Sequence, residues 1–361
     1  MHFPGITYFP GAFHFNAGLC VDFFFLLSGF VIAHSTRNGL KTGSEMFRFM
    51  VRRVGRLWPL HVTILGILVL CKLESTLVIW LTHSDHIIPF QTASYKPYTI
   101  FTNMLMLQGF DTNGWSWNFP SWSISVEFWV YGLFAVLIWT TGPWARFWGI
   151  CLVIAAIGLQ WMLMGAGNDA FPGGVLRCIA GFFTGYLVYS LFTSVDMPKV
   201  FRRTGTFAEV AAVLLIAGAM GVMGGGLWLL AVPLILAAPL WIFACQKGAV
   251  SRLLKGRVCQ ALGTWSYGIY LVHLPVIIIC NHWWALAQVA AMKAYGSQCA
   301  VGYANAKVAS PHDCGVADVA VLIVMTGLYL VVVLKVAQLS YRFIEAPARR
   351  RFNVWADLLG K

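Results

Sequence analysis

Charge is scarce in this sequence. Asp, Glu, Lys and Arg make up 11% of its 361 residues, against about 25% in a soluble globular domain. Hydrophobic residues reach 59% and mean hydropathy is +0.74. This excludes an ordinary soluble domain and reads as an all-α, polytopic transmembrane helix bundle. Acidic residues are scarcest, 13 against 25 basic ones, leaving a formal charge of +12. No basic soluble module exists to carry nucleic acid. Lys and Arg gathered in cytoplasmic loops explain the excess instead, so no nucleic-acid partner is expected. The nine cysteines show no CxxC or zinc spacing. Most lie in apolar runs, where a thiol serves as a small hydrophobe. There is no P-loop, no GxGxxG, no solenoid repeat and no low-complexity linker. Residues 1–361 therefore read as a single domain with no resident metal and no tightly bound cofactor. The first seventeen residues show no charged n-region and no apolar h-region, so the spans themselves are expected to direct insertion.

What is present is apolar length. Nine runs are expected to span, at about 18–35, 57–80, 120–140, 146–164, 172–193, 207–223, 226–245, 264–284 and 317–340. The charges test this count. With the N-terminus outside, the inside loops and tail hold nineteen of the 25 Lys and Arg, and the outside segments hold only Lys96, Lys293 and Lys307. That asymmetry supports both the spans and a cytoplasmic C-terminus. An outside N-terminus with no signal and no preceding span is hard to export, which points to an earlier span before Met1. Outside, segment 81–119 reads as a long polar surface loop; its His83, Asp85 and His86 suit a loop better than a metal site. Cys299 and Cys314 lie in outside segment 285–316, either bridged across a flexible loop or as two free thiols.

The stretch Trp117–Tyr131 stands out. It opens an apolar run yet carries Glu127, and a carboxylate inside a span marks a functional site by default. Ser123, Glu127 and Tyr131 fall at i, i+4 and i+8, one stripe on one helix face. A second stripe, Ser266, Tyr270 and His273 at i, i+4 and i+7, lies on the eighth span. Asp22 sits near the outer end of the first span and reads equally as a helix-start carboxylate. The neighbouring Ser28-Gly29 offers a small-residue contact to another helix. Arg177, near an outer span end, reads by itself as snorkelling to the interface. Arg53 and Arg56 share a face beside the second span; guanidiniums there suit phosphate, topology anchoring or anionic lipid. Glu345 is expected to pair with an arginine at the inner surface.

Five motifs then occur in order: Val21 to Phe30 (V-D-F-F-F-L-L-S-G-F), Arg53-x-x-Arg56 followed by Pro59, Trp122 to Phe128 (W-S-I-S-V-E-F), Ser266 to His273 (S-Y-G-I-Y-L-V-H), and Tyr341 to Pro347 (Y-R-F-I-E-A-P). Together they resemble the acyltransferase-3 family of integral membrane O-acyltransferases over nearly the whole chain. The resemblance implies about ten helices. It also implies transfer of an acyl group, usually acetyl, from a cytoplasmic acyl-CoA donor to a hydroxyl on a sugar of a cell-envelope or exported glycan, in a bacterial cell membrane. The family's essential histidine falls best on His2, with His14 as runner-up. The family's arginine about eleven residues earlier has no counterpart here, so either the start is assigned late or the chain is an inactive remnant.

A sugar hydroxyl is a weak nucleophile, and neutral imidazole is well tuned to take its proton. On this reading His2 is the base, and Glu127 or Asp22 orients its ring and stabilises the imidazolium. Arg53 and Arg56 hold the CoA phosphates. Ser123, Tyr131, Ser266, Tyr270, His273 and Arg177 are candidate substrate contacts. The rival readings are a transporter or flippase of a glycan or acyl intermediate, with the buried polar groups as its path, and a non-catalytic scaffold.

Overall fold

The computed structural model describes residues 17–82, 95–110, 116–165, 173–195, 199–222, 228–295 and 316–359. His2, His14, His83, Asp85, His86, Cys299 and Cys314 lie outside them. Twelve α-helices follow in order among the described residues: α1 Ala17–Ser35, α2 Gly43–Thr82, α3 Tyr98–Met104, α4 Ser121–Thr141, α5 Ala145–Gly165, α6 Gly173–Ser194, α7 Lys199–Val222, α8 Trp228–Cys245, α9 Ala249–Leu254, α10 Arg257–Tyr295, α11 Val316–Ser340 and α12 Ala346–Leu358. No strand occurs among them. Each of the nine expected spans coincides with a helix. Six stretches are long and apolar enough to cross a membrane, one of which, Ser121–Met164, contains both α4 and α5. Gly205–Gly221 and Leu230–Cys245 are shorter apolar helices.

Consecutive spans run up and down. The connections before α2, between α4 and α5 and between α8 and α10 therefore share one end of the bundle with the start of α12. This is the arginine-rich end. Two helices extend well past the expected spans. α2 has 40 residues and is about 60 Å long at 1.5 Å per residue, twice the hydrocarbon thickness. Its first four turns carry Arg48, Arg52, Arg53 and Arg56. Segment 36–56 is thus largely helix and not loop, since Arg is a good helix former and hydropathy alone marks only the apolar part.

Segment 81–119 also departs from expectation. Residues 95–110 fold back along α2 instead of covering the surface. Lys72 Nζ donates to the Tyr95 carbonyl. Further down α2, Trp58 Nε1 donates to Met104 O at 2.8 Å, and His61 Nε2 lies 3.0 Å from Asn103 O. The tip is Met106, at φ 56°. Its carbonyl accepts from Ser125 Oγ (2.6 Å) and Trp129 Nε1 (2.8 Å) of α4. Thr99, Asn103 and Gln108 are polar but at most 5% exposed. Polar composition suggested a solvated loop; here the Thr99 hydroxyl and the side-chain amide nitrogens of Asn103 and Gln108 donate to protein instead, which is how irregular backbone is tolerated at membrane depth.

The core is aromatic. Phe25, Phe134, Phe182 and Phe183 are at most 2% exposed, and the Phe134 ring meets Phe182 and Tyr186 edge-on with centroids 5.4 and 5.5 Å apart. The closest helix pair is α1 with α6. A Cβ on Gly29 would lie 1.8 Å from Phe182 O, and one on Gly185 would lie 1.9 Å from Leu26 O. Only glycine lets these backbones meet, as small residues do between membrane helices. Glu209 of α7, 1% exposed, ties the α8–α10 connection. It accepts from Gly248 N (2.8 Å), Ser251 N (2.9 Å) and Ser251 Oγ (2.5 Å), capping the short helix α9.

Candidate active site

α1, α2, α4 and α10 surround a cavity of about 270 Å³. Apolar side chains of α1 make one wall, and polar groups collect on the others. Ser123, Glu127 and Tyr131 of α4 all line it, as their shared helix face requires; so do Ser266 and Tyr270 of α10. The two stripes meet. Ser123 Oγ and Tyr270 OH are 2.8 Å apart, and both lie within 3.1 Å of the Pro120 carbonyl. Tyr131 OH donates to Glu127 Oε1 at 2.6 Å and is 2.8 Å from Ser28 Oγ on α1. Since the tyrosine proton is used by the carboxylate, Ser28 is the donor to its oxygen. Ser28 of α1 and Tyr131 of α4 thus hold Glu127 through one relay. Tyr131 is 4% exposed and its ring is also a floor for Arg53, whose guanidinium carbon sits 6.0 Å from that centroid and 5.4 Å from the Phe49 centroid. These are cation–π distances.

Arg53 and Arg56 line the cavity at its arginine-rich end. They also line a second space of about 250 Å³, together with Arg52, Arg349, Asn353 and Asp357. The two spaces therefore meet at this pair of guanidiniums. Asp357 Oδ1 accepts from Arg52 at 2.5 Å and lies 3.4 Å from Arg48. Arg53 Nε is buried without a hydrogen-bond partner among the described residues.

The remaining candidates lie apart from the cavity. Asp22 and Arg177 pair with each other. Arg177 Nε reaches Oδ1 and Nη2 reaches Oδ2, each at 3.0 Å, and Nη2 also donates to Gly18 O at 3.1 Å. Their side chains are 6% and 19% exposed, so this is a fork-like buried pair joining α1 to α6. His273 does not line the cavity. Its Nδ1 lies 2.5 Å from the Tyr270 carbonyl, one turn back on its own helix, and Tyr329 OH donates to its carbonyl at 3.0 Å. Glu345 sits in a π-helical turn, Tyr341–Glu345. It makes no ion pair within 4.0 Å among the described residues, and its Oε1 is buried without a hydrogen bond. The expected arginine partner is thus not met at contact distance.

The acyltransferase-domain profile matches residues 1–339, nearly the whole length. The chain belongs to the acyltransferase-3 family. Acyltransferase MdmB of Streptomyces mycarofaciens is 29% identical over 283 residues, covering 72% of this chain and 68% of that protein. No solved structure matches. The protein is thus a multi-pass membrane enzyme that transfers acyl groups.

For this acyltransferase the arrangement offers a carboxylate held by a tyrosine, hydroxyl groups on two facing helices, and, at one mouth, guanidiniums that pair with no carboxylate among the described residues. Among the described residues no group of three or more His, Cys, Asp or Glu could hold a metal ion. Sequence reasoning singled out Arg53 and Arg56 but not Arg349 or Asn353, because nothing along the chain tells which of three consecutive arginines will face α2. Ser28 was visible only as a small packing residue. Glu209 was hidden inside an apolar run; its single charge among residues 207–223 was the available signal.

Proposed function

We propose that the protein moves an acyl group, most simply acetyl, from acyl-CoA at a cytoplasmic, arginine-rich face to a hydroxyl of a cell-envelope or exported glycan. The observation that carries this reading is the junction of the two spaces at Arg53 and Arg56. Guanidiniums that meet no carboxylate among the described residues suit the phosphates of a donor. The adjoining cavity, apolar on one side and hydroxylated on the other, suits a thioester arm and the reacting hydroxyl.

In the proposed step the acceptor oxygen attacks the thioester carbonyl carbon. The C–O bond forms, the C–S bond breaks, and the CoA thiolate leaves. A base takes the hydroxyl proton and returns it to the sulfur, the acid–base role suited to imidazole. His2 is the proposed base. Glu127 is the better candidate to orient it, because it lines the cavity and Asp22 does not. The Asp22–Arg177 pair is then assigned to holding α1 against α6. Ser123 and Tyr270, bonded to each other, are placed to contact the acceptor or the developing oxyanion.

The test is transfer of label. Membrane vesicles carrying the protein receive acyl-labelled CoA and a glycan-containing envelope fraction. Label appearing in ester linkage to the glycan supports the reading. Movement of a glycan across the vesicle membrane with no ester formed would replace it with the transporter reading.

A further inference from the structure

The region matched by the family profile ends at residue 339, and α12 lies beyond it. Yet α12 closes the arginine-rich space. Phe352 packs against α2 at Gly55, where an added Cβ would come within 2.3 Å of the Phe352 Cβ. Gly55 lies between Arg53 and Arg56. Pro59, four residues on, has no N–H for the Gly55 carbonyl, so α2 lacks one backbone hydrogen bond where α12 touches it. Ala356 is fully buried. The far end of α12 is held by Asp357 on Arg52 and Arg48 and by Ser44 Oγ near Leu359 O at 3.4 Å.

Arg349 and Asn353 are one turn apart and share a face, and both line the space with Arg52, Arg53 and Arg56. The charges are lopsided. Four guanidiniums face a single carboxylate, Asp357, whose closest bond is to Arg52. Arg53, Arg56 and Arg349 have no carboxylate within 4.0 Å among the described residues. Like charges gathered this way are costly unless an anion joins them, and phosphate suits guanidinium forks and an amide donor. Arg349, Arg350 and Arg351 are all exposed, but of the three only Arg349 lines the space.

We propose that α12 is a wall of the donor site and that Arg349 and Asn353 bind a phosphate group of acyl-CoA together with Arg53 and Arg56. The proposal rests on the donor reading given above. Arg52 and Asp357 act differently: they fasten the wall and do not take the ligand.

Three variants of the full chain separate these roles: Arg349→Gln, Asn353→Ala, and the pair Arg350→Gln with Arg351→Gln. Each is purified into phosphatidylcholine nanodiscs, checked for wild-type thermal stability, and titrated with CoA by calorimetry. Arg349→Gln should weaken CoA about tenfold, the loss of one charge-assisted contact. Asn353→Ala should weaken it about threefold. The Arg350/Arg351 pair should stay within twofold of wild type. If wild type binds CoA and Arg349→Gln binds it equally well, the assignment of α12 falls while the donor reading stands. If the Arg350/Arg351 pair weakens CoA as much as Arg349→Gln does, the effect is general surface charge and the assignment also falls. A parallel arm adds phosphatidylglycerol. If Arg349→Gln alters retention of that lipid but not of CoA, the space is a headgroup site. If wild type itself fails to bind CoA, the donor reading and the proposal fall together.

Discussion

Glu127 shows how a single residue is given a task by its surroundings. Its carboxylate reaches into a span, where charge is costly, and its hydrogen bond from Tyr131 is in turn backed by Ser28 of α1. Replacing Glu127 with Gln keeps the shape and removes the charge. We expect kcat to fall about 100-fold or more, in the range of lost acid–base assistance, with KM for acyl-CoA within a fewfold of wild type. Tyr131→Phe removes one hydrogen bond to a charged group, about 1.5–3 kcal/mol, and should lower kcat by a smaller factor. Steady-state kinetics with both substrates varied checks the pair. Equal kcat in wild type and Glu127→Gln would leave Glu127 a packing role only. The stripe that carries Glu127 could be read from the chain because helical spacing is local. Its partners on α1 and on α10 could not, since the link from Ser123 to Tyr270 spans 147 positions and nothing local encodes it.

Among the helices, α1 and α6 carry two different devices. One is steric, the glycine contacts at Gly29 and Gly185. Gly29→Ala must push the Phe182 backbone aside, because its Cβ would stand 1.8 Å from that carbonyl oxygen. Overpacking of this kind costs about 1–3 kcal/mol, so thermal unfolding in detergent should occur several degrees lower. An unchanged midpoint would mean that the helices separate freely. The other device is electrostatic. Breaking the buried Asp22–Arg177 pair on one side strands the other charge, which costs about 3–5 kcal/mol, whereas replacing both partners with apolar groups costs less. Arg177→Met should therefore destabilise the protein more than Arg177→Met with Asp22→Leu. Additive losses in that double-mutant cycle would show that the two side chains do not interact in the membrane. Here too the sequence was half legible. Ser28-Gly29 announced a close helix contact, but Asp22 read equally as a helix-start carboxylate and Arg177 as an interfacial anchor, because a pair 155 residues apart leaves no periodic trace. Each apolar run read from hydropathy falls on a helix, but the arginine-bearing arm of α2 and the inward fold of residues 95–110 did not show, since both are rich in polar residues.

At the scale of the whole molecule the basic end should face the cytoplasm, because nineteen of the 25 Lys and Arg fall in the segments expected inside from the sequence. A cysteine replacing the exposed Arg351 on α12, in a background lacking the native cysteines, should react with an impermeant maleimide only after the cell membrane is opened. Labelling of intact cells would invert the topology and put Arg53 and Arg56 on the wrong side for a cytoplasmic donor. The same end also joins distant parts of the chain. Ser44 meets Leu359 across 315 positions, and Arg52 meets Asp357 across 305. Protein chains emerge from the ribosome N-terminal end first. The arginines of α2 are therefore made before α12 and wait, uncovered by it, until α12 has been translated and packs against Gly55. Completion of this wall requires that translation has passed Asp357. A nascent or interrupted chain ending at Ser340 would carry every apolar span described here, yet its arginine-rich space would be open on one side.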